Sequence, residues 1–187
     1  MKSFKLILLA GVVSLPFVVG AQAADNNAYV PSETSSLTGF YLRGDVGASY
    51  LTSPGPADVW AWTGSGGIGY QANDFLRMDV TGEWGSNYNV APGATLSTTA
   101  VMGNVYYDWK NNSPITPYVG AGLGYGWVNR AGLGVNDSGV ALGLNAGVSM
   151  DMTTNLALDV GYHFRDIMVT GDDPVEHSLT AGLRFKF

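Results

Sequence analysis

Apolar and polar residues alternate along most of this chain, and the alternation is strictest at the C-terminal end. Residues 177–187, HSLTAGLRFKF, carry apolar or aromatic side chains at one set of alternate positions, and mostly polar or cationic residues at the other. Successive side chains of a β-strand point to opposite faces, so this segment predicts a strand with one apolar and one polar face. The apolar face includes Leu179, Ala181, Leu183, Phe185 and Phe187.

The same two-residue period recurs upstream and predicts eight strands in all. They cover residues 39–51, 59–71, 75–85, 97–109, 116–128, 139–151, 156–165 and 177–187. Each is close to or longer than the roughly 9–11 residues that a tilted strand needs to cross a bilayer. An apolar face toward lipid and a polar face toward a lumen is typical of membrane barrels. The pattern therefore predicts an all-β fold, an eight-stranded antiparallel up-and-down transmembrane β-barrel.

The predicted connections alternate in length. Residues 72–74, 110–115 and 153–155 form short connections, whereas residues 52–58, 86–96, 129–138 and 166–175 form longer ones rich in Gly, Asn, Asp and Pro. Outer-membrane barrels have short periplasmic turns and longer external loops. We therefore expect both chain termini in the periplasm, which requires an even number of strands.

Charged and aromatic residues follow the predicted faces. A lipid-facing Arg or Lys at mid-membrane costs roughly 2–4 kcal/mol, and every charge within the eight segments falls on the inward face. These charges are Arg43, Asp45, Arg77, Asp79, Glu83, Asp108, Asp151, Asp159, Arg165, Arg184 and Lys186. Outward aromatic residues collect near both ends of the strands, which is typical of two interfacial belts. The belts are Trp60, Trp62, Trp84 and Trp127 at the loop end, and Phe40, Tyr70, Tyr107, Trp109 and Phe185 at the turn end.

The N-terminus has the pattern of a secretory signal. Lys2 and Lys5 precede an apolar run over residues 6–19, and residues 21–23 form an A-x-A cleavage site. We predict a signal peptide over residues 1–23, a polar periplasmic lead-in over 24–38 and one barrel domain over 39–187. The alternative is an uncleaved anchor helix, for which the apolar run is short.

Composition narrows the classes of function. Without Lys2 and Lys5, seven basic residues face fifteen acidic ones, a net charge of −8, which argues against nucleic-acid binding. The chain has no Cys, so neither a disulfide framework nor a thiolate metal site is expected. Charged residues make up only 13%, against roughly 25% in soluble proteins. A barrel whose outer wall contacts lipid accounts for that low charge.

Four stretches carry a resemblance to a known family. They are TGFYLRGDVGASY at 38–50, TPYVGAGLGYGW at 116–127, LALDVGYHFRD at 156–166 and HSLTAGLRFKF at 177–187. Through them the chain resembles the eight-stranded outer-membrane β-barrel superfamily of the OmpA barrel and OmpX, and especially the porin-family surface antigens and hemin-binding barrels of alphaproteobacteria. The resemblance implies a bacterial outer-membrane location. It also implies an assembly signal for the barrel-assembly machinery at Leu179, Leu183, Phe185 and Phe187. The predicted loops are short for an adhesin.

The inward charges are the first candidate site. We predict a lumen charge network formed by Arg43, Asp45, Arg77, Asp79, Glu83, Asp159, Arg165 and Arg184. Counted from the periplasmic end, three of these arginines and three aspartates lie at similar depth, so Arg43, Arg77 and Arg184 are expected to pair with Asp45, Asp79 and Asp159. An eight-stranded barrel is just wide enough for side chains to fill, which favours a closed lumen. The alternative is a charged constriction of a narrow pore. Glycines on the inner face of the fifth strand are expected to make room for Tyr41 and Arg43.

The two histidines and the loop acids are weaker candidates. His163 faces inward and is expected to form hydrogen bonds in the lumen, with a metal or heme role as the alternative. His177 faces outward, so it cannot act as the base for the neighbouring Ser178, and we expect no enzyme activity. The acids assigned to loops are Asp58, Asp137, Asp166, Asp172, Asp173 and Glu176. Asp172, Asp173 and Glu176 either bind a divalent cation or form a solvated acidic loop, which is the preferred interpretation.

These interpretations converge on one expected function. The chain is predicted to be a non-enzymatic, monomeric outer-membrane β-barrel with a structural or surface-exposed role and a charge-filled lumen. Neither a cofactor nor a metal is expected. The expected partners are outer-membrane lipid, lipopolysaccharide and the barrel-assembly machinery. The alternatives are a narrow passive porin for ions or small solutes, and a barrel that binds heme or a host surface.

Overall fold

The computed structural model describes residues 38–52, 59–91, 93–131, 135–169 and 173–187, which contain eight β-strands. The strands are β1 Gly39–Thr52, β2 Val59–Gln71, β3 Leu76–Ala91, β4 Ala94–Asp108, β5 Ile115–Ala131, β6 Val135–Asp151, β7 Leu156–Met168 and β8 Val175–Lys186. The predicted signal peptide (1–23) and, apart from Thr38, the predicted lead-in (24–38) lie outside the described residues.

The eight strands form one closed antiparallel barrel, as predicted. Each strand pairs with its neighbours in chain order, and β8 closes the barrel against β1. Closure satisfies the backbone hydrogen bonds of every strand inside the wall, which a sheet in lipid requires. Within the described part of the chain, no helix has the length and apolar character needed to span a membrane.

The alternation of side chains was also predicted correctly. On β4, every second residue from Leu96 to Asp108 is buried, and the residues between them are exposed or half-exposed. The exposed wall carries the large apolar side chains, among them Leu42, Val80 and Leu123. The two-residue period of the sequence is therefore the inside–outside period of the barrel.

Two predicted loops are wrong, because the strands continue through them. Residues 86–91 belong to β3 and 94–96 to β4, and residues 129–131 belong to β5 and 135–138 to β6. On the preceding part of β3 the odd-numbered residues point inward. A register shift between Gly85 and Tyr88 turns the even-numbered Tyr88 inward as well. Gly93 closes the β3–β4 hairpin at a φ of +78°, a conformation that glycine adopts without strain. Pairing within each hairpin satisfies the hydrogen bonds of the backbone, so polar residues can extend these strands beyond the apolar wall.

The β7–β8 hairpin also differs from the prediction. β7 runs to Met168 and β8 begins at Val175, so residues 166–168 and 175 of the predicted loop belong to strands. Asp166 consequently lies on β7, on the outward parity, in register with Val175. The prediction of Asp166 as a loop acid is therefore wrong, whereas the inward placement predicted for charges within the eight segments did not include this residue. Residues 53–58 of the first longer connection lie outside the described residues.

The interior of the barrel has two halves. Polar and charged side chains fill the half nearer the chain termini, whereas the half nearer the longer connections contains an apolar cluster. The cluster consists of Leu51, Tyr88, Leu96, Ala100, Met102, Val128, Ala141 and Ile167. The predicted charge-filled lumen is thus shared with an apolar cluster. The candidate site fills the polar half and reaches the apolar cluster at Arg165 and Glu176, the register partner of Leu51.

Candidate functional site in the barrel lumen

Arg43 is the centre of the first charged group in the lumen. From β1 it donates Nε and Nη2 to the two carboxylate oxygens of Asp45, at 3.0 and 2.9 Å. Its Nη1 donates to Asp79 Oδ2 at 3.0 Å and to the Tyr106 hydroxyl at 2.9 Å. Ser65 donates a further hydrogen bond to Asp45 at 2.8 Å. One guanidinium therefore joins strands β1, β3 and β4 across the lumen.

Arg77 is the centre of a second group and is 0% exposed. Its Nε lies 3.0 Å from both carboxylate oxygens of Asp108, and its Nη1 lies 3.7 Å from Asp159 Oδ2. The rings of Tyr106 and Tyr118 lie 4.5 and 4.6 Å from its guanidinium carbon. The cation is thus enclosed between two carboxylates and two aromatic faces, which compensate for its removal from water.

Arg184 connects to this group through a shared carboxylate. Its Nε lies 3.2 Å from Asp159 Oδ2, the oxygen that also faces Arg77. Its Nη2 donates to the Ser149 hydroxyl at 2.7 Å, and its Nη1 lies 3.4 Å from Gln71 Oε1. Asp159 therefore ties β3, β7 and β8 together inside the barrel.

Arg165 forms a third group nearer the apolar cluster. It pairs with Glu83 at 2.8 Å and with Glu176, which also accepts a hydrogen bond of 2.5 Å from Thr98. Glu176 is 1% exposed, so its prediction as a loop acid is wrong. The cause is the start of β8 at Val175, which gives Glu176 the inward parity of the strand.

Glu176 is buried and paired with Arg165, so it is not available as a ligand for a cation bound by the acidic loop. Asp173 is exposed and accepts the backbone N–H of Val169 at 2.8 Å, and Asp172 lies outside the described residues. Among the residues that the structure describes, no group of His, Cys, Asp or Glu side chains is arranged to hold a metal ion.

Some charged residues of the lumen contact partners that their predicted depth along the strands did not identify. The eight residues of the predicted network all lie in the lumen, but Arg77 has its shortest contact with Asp108, which was outside the predicted pairs. Asp108 has the inward parity of β4, and its register partner Tyr118 places it beside the Arg77 group. The alternation of inward and outward positions identified Asp108 as a lumen residue. It did not identify Arg77 as its partner, because depth counted along single strands ignores strand tilt.

The glycines of β5 make room for different side chains than predicted. A Cβ at Gly120 would overlap the ring of Tyr106, and one at Gly124 would overlap Met102. Tyr41 instead lies over Gly69 of β2, where an added Cβ would meet its ring. The expectation that β5 accommodates Tyr41 is therefore wrong, because side chains of the adjacent strand β4, and Ile167 of β7 at Gly126, fill that space.

The two histidines have different surroundings. His163 Nδ1 lies 2.6 Å from Asn145 Oδ1, and its Nε2 lies 2.9 Å from Thr180 Oγ1, so both ring nitrogens are engaged in the lumen. His177 lies on the outer wall, where its Nδ1 is 2.5 Å from the Tyr162 hydroxyl. Ser178 is buried on the opposite face, so the two neighbours do not form a nucleophile–base pair.

A small cavity remains between these groups. It measures about 30 Å³ and is lined by Arg43, Tyr106, Glu83, His163, Arg165 and Thr180, among others. That volume has room for roughly two water molecules. The Glu83 side chain, 23% exposed, is the most accessible of the paired lumen carboxylates of β1, β3 and β7.

The outer face of β8 carries the four residues of the predicted assembly signal. Leu179, Leu183, Phe185 and Phe187 are all exposed on the wall. The backbone N–H of Phe187 donates to the carbonyl of Phe40 at 3.0 Å, so the C-terminal residue extends the seam between β8 and β1.

Comparisons with known proteins agree with this geometry. The family model described as "Outer membrane protein beta-barrel domain" matches residues 8–187. An uncharacterized protein of Brucella abortus is 26% identical, with 84% of this chain and 79% of that protein covered. The crystal structure of Neisserial surface protein A is similar with a TM-score of 0.72 and 26% identity, over 80% of this chain and 98% of that one.

Two further solved structures share the fold at lower identity. The attachment invasion locus protein Ail of Yersinia pestis, in complex with the heparin analogue sucrose octasulfate, has a TM-score of 0.53 and 15% identity, over 79% of this chain and 99% of that one. The outer membrane protein OprG of Pseudomonas aeruginosa has a TM-score of 0.54 and 14% identity, over 81% of this chain and 98% of that one.

Proposed function

Because this chain belongs to the outer membrane protein β-barrel family, we propose that it is a non-enzymatic, monomeric structural protein of that membrane whose own side chains close its lumen. The observation that carries the proposal is the filling of the interior. Ion pairs of Arg43, Arg77 and Arg184 occupy the half nearer the chain termini, and the apolar cluster together with the Arg165–Glu176 pair occupies the other. A cavity of about 30 Å³ beside Arg43 and Arg165 has room for roughly two water molecules.

The orientation proposed from the loop lengths puts the chain termini in the periplasm and the longer hairpins outside the cell. In this orientation the groups around Arg43, Arg77 and Arg184 form the periplasmic part of the closed lumen, and the apolar cluster with the Arg165–Glu176 pair forms the external part. The exposed hairpins give the protein its surface character. Outer-membrane lipid and lipopolysaccharide then cover the apolar wall, which includes Leu123, Val80 and Ile68.

We further propose that the barrel-assembly machinery recognises β8. Leu179, Leu183, Phe185 and Phe187 form a continuous apolar row that ends at the C-terminus. The row lies beside the seam with β1, the last pairing that closure of the barrel requires.

Planar-bilayer recordings combined with urea unfolding test the closed lumen. We expect no steady conductance from the wild-type protein. Arg77→Ala and Asp159→Ala should each lower the urea midpoint and open a small leak, because each leaves a charge without its partner. Asp173→Asn is the matched control, since it removes an exposed charge but keeps an acceptor for the Val169 N–H.

A narrow passive pore is the rival function, and the same experiment separates it. If the protein is a pore, the wild-type protein conducts ions and the Arg77→Ala variant has a different ion selectivity. Steady wild-type conductance together with unchanged stability of Arg77→Ala and Asp159→Ala would show that the closed-lumen proposal is wrong.

A further inference from the structure

The four longest strands carry an uncharged polar surface above the apolar wall. Trp84, Thr99, Trp127 and Ser138 are register partners across β3, β4, β5 and β6, and form one row around this side of the barrel. Beyond this row β3 continues for seven residues, β4 for five, β5 for four and β6 for three, which is roughly 10–24 Å along the strand direction. The polar tip face is defined by polar side chains on the outward side of this row and its extension: Asn87, Asn89, Thr95, Ser97, Thr99, Asn129, Asn136 and Ser138.

The polar tip face is rich in hydrogen-bonding groups and has no charge. Each of its side chains is exposed or half-exposed. The two charged residues that the structure describes in this extension, Arg130 and Asp137, have the opposite parity and pair with each other. Amides and hydroxyls in this arrangement both donate and accept hydrogen bonds, as sugar hydroxyls do.

Aromatic side chains border the face on its membrane side. Trp84 and Trp127 are 51% and 43% exposed, and the Tyr125 hydroxyl lies 3.0 Å from the Ser138 hydroxyl at this border. Exposed indole rings at the membrane surface combine an apolar body with a polar N–H, which suits the level where lipid chains end and headgroups begin. The polar tip face is therefore continuous with the lipid-contacting wall.

The other side of the rim is chemically different. Asp166 lies on the outward parity of β7 and Asp173 is exposed near the start of β8. An anionic lipid is repelled by these acids, whereas the polar tip face presents no like charge to it. The rim therefore has one side that tolerates an anionic glycolipid and one side that disfavours it.

We propose that the polar tip face binds the core sugars that outer-leaflet glycolipids carry above the acylated sugars of lipid A. The amides and hydroxyls of β3–β6 hydrogen-bond the sugar hydroxyls, and Trp84 and Trp127 contact the junction between sugar and acyl chains. The inference deepens the proposed contact with lipopolysaccharide and rests on the proposed orientation. Binding would hold glycolipid against the tall side of the barrel.

Glycolipid retention tests this proposal in detergent, where orientation in a membrane plays no part. The probes are lipid A without core sugars and the corresponding lipooligosaccharide with them, titrated against the protein extracted from outer membranes. We expect the wild-type protein to retain the lipooligosaccharide more tightly than lipid A. Asn129→Ala/Asn136→Ala should weaken this retention roughly tenfold, because two hydrogen-bonding amides are lost.

Two matched variants complete the experiment. Asn112→Ala removes an exposed amide from the short connection at the opposite end of the barrel and should leave retention unchanged. Asn129→Asp/Asn136→Asp keeps the size of both side chains and adds two negative charges, so it should bind less than the alanine variant. Equal wild-type retention of both lipids, or wild-type retention by the alanine variant at an unchanged thermal midpoint, would overturn the proposal.

Discussion

Arg77 shows how this barrel tolerates charge in its interior. Burying an isolated cation costs several kcal/mol or more, and a buried ion pair offsets that cost only with good geometry. Here the guanidinium has Asp108 at 3.0 Å, Asp159 at 3.7 Å and the faces of Tyr106 and Tyr118 on either side. The residue thus depends on four neighbours from three other strands, and each of them depends on it.

Replacing Arg77 by Ala should therefore be strongly destabilising. Asp108 would lose its nearest cation while remaining buried, which costs about 3–5 kcal/mol when one partner of a buried pair is removed. Urea unfolding of the folded barrel in detergent or vesicles measures the loss. Arg77→Ala/Asp108→Ala should recover part of it, because the double variant leaves no unpaired carboxylate at that position.

A rim pair provides the control for this prediction. Lys110 lies 3.8 Å from Asp151, and their side chains are 38% and 48% exposed. Exposed pairs contribute roughly 0–1 kcal/mol, so Lys110→Ala should barely change the urea midpoint. A comparable loss in Lys110→Ala and Arg77→Ala would mean that burial does not determine the strength of these pairs.

At the scale of an element, β5 shows how the side chains on each face of a strand suit the environment that the face contacts. Its outward residues Val119, Leu123 and Tyr125 are exposed on the apolar wall, and its inward positions between them are glycines that accommodate side chains of β4 and β7. The strand then continues past Trp127 to Asn129 on the polar tip face. One strand therefore passes from lipid to headgroup level without a break in its pairing.

Arginine substitutions along β5 should show where the strand leaves the lipid. Leu123→Arg should lose roughly 2–4 kcal/mol of unfolding free energy in lipid vesicles, because it places a cation near mid-membrane. Asn129→Arg, on the same face of the same strand, should lose only about 0–1 kcal/mol because it lies beyond the apolar wall. Equal losses at the two positions would contradict the placement of the membrane on this strand.

β8 combines a structural and a proposed assembly role, which a deletion can separate. Removing Phe187 should reduce the amount of barrel assembled in the outer membrane more than its lost packing, about 1.5–3 kcal/mol for a fully buried side chain, would explain. Quantitative fractionation of cells compared with urea unfolding of the refolded variant measures the two effects. Phe75→Ala, which removes another exposed wall aromatic, should affect assembly far less. An equal assembly defect in both variants would contradict the proposed recognition of β8.

At the scale of the whole molecule, closure is the dominant feature. Every strand, including β1 and β8, is hydrogen-bonded on both sides, so unfolding must break at least two ladders together. Inside, ion pairs and the apolar cluster connect opposite walls. The result is a single cooperative unit in an outer-membrane barrel with no open sheet edge in the wall.

Such a barrel should resist detergent until it is heated. We expect unboiled protein to migrate as a compact species on denaturing gels and boiled protein to migrate at its full mass of 19.7 kDa or that of its processed form. The Arg77→Ala variant should convert at a lower temperature because one of its cross-lumen contacts is lost. Identical migration with and without boiling would contradict a closed, ladder-paired wall.

The sequence alone determined the strand number, the closed antiparallel fold and the face of almost every residue. These features depend on a period of two and on a lipid-exposed wall, and both are local properties that each segment carries by itself. The same parity placed all eight residues of the predicted charge network inside the barrel. It also placed Asp108 there, although not as the partner of Arg77.

Only the tertiary structure decided which charges meet, where the strands end and which half of the lumen is apolar. Strand tilt and stagger set the depth at which inward side chains from different strands face one another, so Arg77 meets Asp108 and Tyr41 lies over Gly69. The bulge at Gly85–Tyr88 reverses parity, and pairing with a neighbour extends β8 to include Glu176. Such outcomes depend on the neighbouring strand rather than on the segment itself, and a two-residue period contains no information about the neighbour.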